Sequence, residues 1–109
     1  GGLSASNQRR ISDFIQANLG EDLSITQLAN AVGLCPDHFS RCFAVSFGLL
    51  PHRYVQQRRI EAALKMLAVS SRSIAEIAVG LGFYSHTHFT RVFHRQTGMT
   101  PKQVRLGKR

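Results

Sequence analysis

The last third of this chain contains no acid. Residues 77–109 carry six Lys and Arg and not one Asp or Glu, a net of +6, whereas residues 1–76 carry eight basic and all six acidic residues, a net of +2. So one-sided an excess excludes an acidic binding face there and points to a polyanionic partner, nucleic acid or an anionic membrane surface. A basic tail kept for solubility is the blander alternative. Cysteine is equally scarce: Cys35 and Cys42 are the only two, too few for a disulfide framework, so a reducing, cytoplasmic setting is expected. No apolar run approaches the ~18 residues of a membrane span, and no signal-peptide pattern is present. No alternating stretch is long enough to argue for a sheet. With 109 residues, 43% of them hydrophobic, the chain has room for one small domain or two very small ones sharing a core. The opening Gly-Gly-Leu-Ser-Ala-Ser reads as a tag remnant or linker end, and residues 1–7 are set outside the expected fold.

What fills the chain is helical periodicity. Ile11, Phe14, Ile15 and Leu19 fall one turn apart, as do Ile25, Leu28, Ala29 and Val32, then Phe39, Cys42, Phe43 and Phe47. Ile60, Ala63, Leu64 and Leu67 follow, then Ile74, Ile77, Ala78 and Leu81, and finally Phe89, Val92 and Phe93. Each set puts an apolar stripe on a helix. Ser24-x-x-Gln27, Ser73-x-x-Glu76 and Thr100-x-x-Gln103 have the form of capping boxes. Pro51 and Pro101 suit a first turn, and Gly48 and Gly98 suit the left-handed position that ends a helix. The expectation is all-α, with about seven helices at 8–19, 24–32, 36–47, 51–68, 74–81, 86–97 and 101–107.

The chain also repeats itself. Ile25-x-x-Leu-Ala-x-x-Val-Gly returns as Ile74-x-x-Ile-Ala-x-x-Leu-Gly at an offset of 49, and Phe39-x-Arg-x-Phe returns as Phe89-x-Arg-x-Phe at an offset of 50. One extra residue, assigned to Tyr84, therefore sits in the turn of the second copy. Each copy is a short helix, a glycine turn at Gly33 or Gly82 and a longer helix, the pattern of a helix-turn-helix. Two such subdomains, 8–50 and 73–109, are expected on either side of a linker helix at 51–72.

With the phenylalanines turned inward, the outer face of the first long helix carries Asp37, Ser40, Arg41 and Ala44. That of the second carries His86, Thr87, Thr90, Arg91 and His94, with Arg95 alongside. Arg41 and Arg91 are equivalent, and an arginine so placed can pair bidentately with guanine O6 and N7. A phosphate contact or an intramolecular ion pair is the competing use. His86 and His88 lie about 200° apart around a helix, and no zinc-site spacing accompanies them, so no metal and no cofactor are expected. His88, beside the inward Phe89, reads as structural, and Cys42 as core. Cys35, at an N-cap position, is a poor cap. No catalytic constellation stands out, so no enzyme is expected.

These residues resemble the DNA-binding domain of AraC/XylS-family bacterial transcription regulators. Gly82-Phe83, His88-Phe89-Thr90-Arg91-Val92-Phe93, Gly98-Met99-Thr100-Pro101 and Arg105 carry the resemblance, and Arg59-Ile60-x-x-Ala63-x-x-Met66-Leu67 is similar to the family's linker helix. The resemblance covers roughly residues 8–106. It implies two recognition helices, 36–47 and 86–97, in successive major grooves of double-stranded DNA. It also implies RNA polymerase as a partner and a separate N-terminal sensor or dimerisation domain in the full-length protein, with no membrane contact.

Base contacts are accordingly expected from Asp37, Ser40, Arg41, His86, Thr87, Thr90 and Arg91. Phosphate contacts are expected from Arg53, His94, Arg95, Lys102 and the helix starts at Ser24, Ser73 and Thr100. A linker of about 16 residues spans roughly 24 Å, and with the helix bodies added this suits recognition helices one DNA turn, about 34 Å, apart on a non-palindromic site. Val104 stands where the family often has Tyr or Phe, so the last helix is expected to pack less firmly. Non-specific nucleic-acid binding, including RNA, is the first rival. It is disfavoured because the phenylalanines fall on core stripes or, like Phe83, beside the turn, leaving only the two tyrosines to be exposed for stacking. A protein-interaction module docking through the linker helix is the second.

Overall fold

The computed structural model describes residues 1–107; Lys108 and Arg109, counted in the basic C-terminal third, lie outside the described residues. Among the described residues there are seven helices and no strand: α1 (Ala5–Ala17), α2 (Ile25–Ala31), α3 (Pro36–Phe47), α4 (Pro51–Val69), α5 (Ile74–Gly80), α6 (His86–Thr97) and α7 (Pro101–Arg105). Two compact units divide the chain between Val55 and Gln56, inside α4.

Local chemistry accounts for most helix ends. Ser24, Ser73 and Thr100 each accept from the backbone N–H three residues on, while Gln27, Glu76 and Gln103 reach back to the cap N–H, completing all three capping boxes. α3 and α6 both end on a left-handed glycine, Gly48 at φ 76° and Gly98 at φ 78°, a conformation that a Cβ would strain. The turns inside the two repeats close identically. Leu34 N–H donates to Ala29 O at 3.0 Å, and Phe83 N–H to Ala78 O at 3.1 Å. The helix cap then follows at Cys35 in the first and Ser85 in the second, so the extra residue of the second copy is Tyr84. Ser85 caps the His88 N–H at 3.0 Å, whereas Cys35 makes no side-chain cap.

In the first unit, Ile11, Ile15, Leu19, Leu28, Ala29, Val32, Phe39, Cys42 and Phe43 are buried. The Phe43 ring lies 5.6 Å from Phe39, stacks on Phe47 at 4.2 Å, and meets the edge of Tyr54 at 5.3 Å. Tyr54 therefore departs from expectation: it is 6% exposed, and its hydroxyl lies 3.3 Å from Ser12 Oγ. Position 54 had no partner legible nearby in sequence, because its ring contacts come from α3 and its polar contact from α1. A second departure is at the N-terminus. α1 begins at Ala5 rather than 8, capped by Ser4, and Leu3 is buried. The Leu3 N–H donates to Ser46 Oγ at 2.7 Å, and its carbonyl accepts from Gln8 Nε2 at 3.0 Å. The segment 1–7 thus belongs to the fold.

In the second unit, Ile60, Ala63, Leu67, Ile77, Ala78, Leu81, Phe83, Phe89, Val92 and Phe93 are buried. Phe83 meets Phe89 edge-on at 5.0 Å, and the Arg59 guanidinium lies over the Phe83 ring at 6.0 Å. Leu64, placed on the inward stripe by spacing, is 37% exposed. In the part of α4 that belongs to this unit, the buried stripe is the narrower set Ile60, Ala63 and Leu67. The short α7 is held at both ends: Pro101 is buried, and Arg105 donates to the carbonyls of Arg72 and Ser70, the latter at 3.0 Å. Val104 is half-buried, and anchorage lies with its neighbours.

Two outcomes follow. Arg105→Ala strips two backbone carbonyls of a charged donor and should lower stability by about 1 kcal/mol, read as a reduced urea midpoint. Arg105→Lys, lacking the planar fork, should recover part of that loss. Full stability in the alanine variant would show the clamp to be idle.

The second outcome concerns pH. The Glu76 carboxyl is held below its ordinary value of 4.5, chiefly by the Ser73 backbone N–H, then by the Ser73 side chain and the Arg72 charge. A depressed carboxyl contributes stability above its unfolded value and loses it as pH falls through the folded one. The thermal advantage of the wild type over Glu76→Gln should therefore be complete at neutral pH and shrink below pH 4.5. A difference in melting temperature that stayed constant from pH 7 to 3 would contradict the assignment.

Candidate nucleic-acid interface

Burial of Phe89, Val92 and Phe93 leaves the opposite face of α6 in solvent. His86, Thr87, Arg91, His94 and Arg95 are exposed there, and Thr90 is half-buried. Four of these side chains, His86, Thr87, Thr90 and Arg91, line one shallow, open concavity of about 370 Å³. It presents a guanidinium fork, an imidazole and two hydroxyls side by side, a set able to donate and accept toward base edges. His94 and Arg95 stand in the last turn, where the helix dipole favours positive charge.

A second, more apolar groove of about 380 Å³ adjoins the first and shares His86 and Thr90 with it; Ile74, Thr100, Pro101 and Lys102 complete its lining. Ile74, His86 and Pro101 are the first residues of α5, α6 and α7, so the groove gathers three helix starts, each with free N–H groups and the positive end of its dipole. Sequence reasoning had put Ile74 on the buried stripe of α5, and it is half-buried. The convergence of Ile74 and Pro101 had no sequence signal, since one is a stripe residue and the other a helix-start proline.

The capping boxes limit what the helix starts can offer. The Ser24, Ser73 and Thr100 hydroxyls accept from their own helices, and the cap N–H groups are already bonded to Gln27, Glu76 and Gln103. What remains is the N–H of Ile25 and Thr26 at α2, of Ile74 and Ala75 at α5, and of Lys102 alone at α7, because Pro101 has none. At α5 the carboxylate of Glu76 sits at the same helix start, making Ser73 the least suited of the three to an anion.

In the first unit, Asp37 and Arg41 are exposed on the outer face of α3, Ser40 is half-buried, and Arg53 is exposed on α4. Asp37 lies in the first turn of α3, where a carboxylate also complements the dipole. His88 is half-buried, stacked on Tyr84 at 4.4 Å and edge-on to Phe83 at 5.5 Å. Its Nδ1 is buried with no hydrogen-bond partner among the described residues, and its ring contacts suit a packing role. Cys42 is buried, with Sγ 3.5 Å from His38 Nε2, and Cys35 is exposed.

A family model described as a helix-turn-helix domain matches residues 28–107. The chain is 31% identical over 101 residues to the virulence regulon transcriptional activator VirF of Yersinia enterocolitica, covering 93% of this chain and 37% of that protein. It is 35% identical over 103 residues to an HTH-type transcriptional regulator of Staphylococcus aureus, covering 94% and 14% respectively. The chain thus spans about a seventh to a third of the length of these curated relatives. Among solved structures it is similar to an AraC-type transcriptional regulator from Chromobacterium violaceum (TM-score 0.87, 28% identity, covering 93% of this chain and 90% of that one). It is also similar to the DNA-binding domain of AdpA in complex with a target DNA (TM-score 0.88, 25% identity, covering 95% and 93%). With seven helices among its described residues, two glycine-turned repeats and an acid-free outer face on α6, the chain belongs to the AraC-type helix-turn-helix domains of DNA-binding transcription regulators.

Proposed function

We propose that this chain binds double-stranded DNA sequence-specifically to control transcription, with α3 and α6 as recognition helices in successive major grooves. The observation that carries this reading is the concavity on α6, where His86, Thr87, Thr90 and Arg91 converge within the acid-free third of the chain. Asp37, Ser40 and Arg41 read bases from α3. Arg53, His94, Arg95 and Lys102, with the helix starts at Ser24, Ser73 and Thr100, contact phosphates. Of these, Thr100 and Lys102 border the groove where three helix starts meet, which favours the second unit as the main phosphate anchor.

The chain acts by binding and carries no catalytic step. In a cytoplasmic full-length regulator, an N-terminal sensor or dimerisation domain would present this domain to RNA polymerase at a promoter, in keeping with the greater length of its relatives. Among the described residues no helix is long and apolar enough to cross a membrane. The RNA-binding rival is disfavoured because, of the two tyrosines it would stack bases on, Tyr54 is buried, which leaves Tyr84, 82% exposed, as a single stacking ring.

Duplexes selected from a random pool, then titrated at several salt concentrations, test the assignment. Arg91→Ala and Arg41→Ala should each cost about 1–3 kcal/mol and relax preference at one base pair, in different halves of the site. Arg95→Ala should weaken all duplexes alike and reduce the slope of log K against log salt by about one. If both Arg41→Ala and Arg91→Ala leave base preferences intact and only reduce the slope, the two arginines are phosphate clamps and not readers.

A further inference from the structure

The outer faces of α3 and α6 align residue by residue at an offset of 50: Asp37 with Thr87, Ser40 with Thr90, Arg41 with Arg91. The arginines are the same and the residues beside them are not. Where the first repeat has a carboxylate and a bare hydroxymethyl group, the second has two threonines. Ser40 and Thr90 differ by one methyl group, at positions that are both half-buried on the outer side of their helices. Thr87 and Thr90 both line the α6 concavity, and Thr90 also lines the apolar groove with Ile74 and Pro101. Thr97, at the far end of the same helix, spends its hydroxyl on the Phe93 carbonyl at 2.8 Å. Thr90 instead lines both the α6 concavity and the more apolar groove beside it.

In the major groove each base pair shows a distinct edge, and thymine alone among the four bases adds an apolar group, its 5-methyl. We infer that the second repeat selects thymine through that methyl group, received by Thr90 and Thr87, and that the first repeat, with Ser40 and Asp37 in the same places, does not. The arginines then give the two half-sites a shared guanine preference, and the threonines give the second half-site a thymine that the first lacks. This inference rests on α6 lying in the major groove, as proposed above.

The test removes one methyl from each side of the contact. Duplexes selected by the wild type are remade with each thymine replaced singly by deoxyuridine, which keeps O4 and every hydrogen bond but lacks the methyl. Binding of the wild type, Thr90→Ser, Thr87→Ser and Ser40→Thr is then measured on all of them, with melting temperature as the control for folding. In the second half-site, at least one replacement should weaken wild-type binding about fourfold, the factor that burial of one methyl group corresponds to. The same replacement should change binding by less than a factor of about 1.5 in Thr90→Ser or Thr87→Ser, because the partner methyl is already gone. With a thymine built into the equivalent position of the first half-site, its replacement by deoxyuridine should be neutral for the wild type, and Ser40→Thr should create a cost there.

Deoxyuridine tolerated throughout the second half-site overturns the inference while leaving sequence-specific DNA binding intact. So does an equal cost in the wild type and in both serine variants, which would place the methyl on another residue. A wild type that selects no duplex at all sinks the proposed function itself.

Discussion

The same aromatic contact is built twice, and the outward face of each long helix depends on it. Phe39 and Phe43 on α3 lie 5.6 Å apart, and Phe89 and Phe93 on α6 also lie 5.6 Å apart. All four rings have no exposed surface. One turn apart on a helix, such a pair defines an inward direction, and everything roughly opposite it must face solvent. Arg41 and Arg91, two residues beyond the first ring of each pair, are outward for that reason. Truncating one of these rings to alanine typically costs about 3–5 kcal/mol, a large share of the stability of a small domain. The polar face can vary only because the apolar face does not.

On that common frame the two repeats diverge in ways that follow from single residues. Tyr84 lengthens the second turn by one residue and brings a ring onto His88. Ser85 caps that helix where Cys35 leaves α3 uncapped. The first repeat in turn spends its aromatic surface on Phe47 and Tyr54, and the second draws on Phe83 and the Arg59 guanidinium above it. Charge follows the same division. The acids lie before residue 77, so the second repeat meets a polyanion without internal competition except at the Glu76 cap.

Three helix starts converge beside the outer face of α6. A capping box satisfies two of the orphan donors of a helix and leaves others pointing outward. The groove brings together the starts of α5 and α7, which carry capping boxes, and of α6, capped by Ser85 alone, so their dipole ends add to the charge of Lys102 in its lining. The groove floor is apolar, from Ile74 and Pro101, so those partial charges act beside a surface of low dielectric, where they are screened less than in open water.

Much of this was legible in the chain because it is local. Stripes, capping boxes, end glycines and the repeat are patterns within one or two helical turns, and α3 and α6 lie where spacing placed them, at 36–47 and 86–97. So did the outward set on α6, once the phenylalanines were turned inward. Tertiary structure alone decided the rest. Leu3 is buried because Ser46, 43 residues away, accepts its N–H. Tyr54 is buried because Ser12 and the rings of α3 reach it. Arg105 clamps carbonyls 33 and 35 residues back, and Ile74 and Pro101 come to line one groove. Local periodicity encodes which face of a helix turns inward. Which distant residue completes that face depends on loop closure and packing, and no spacing within a helix records it.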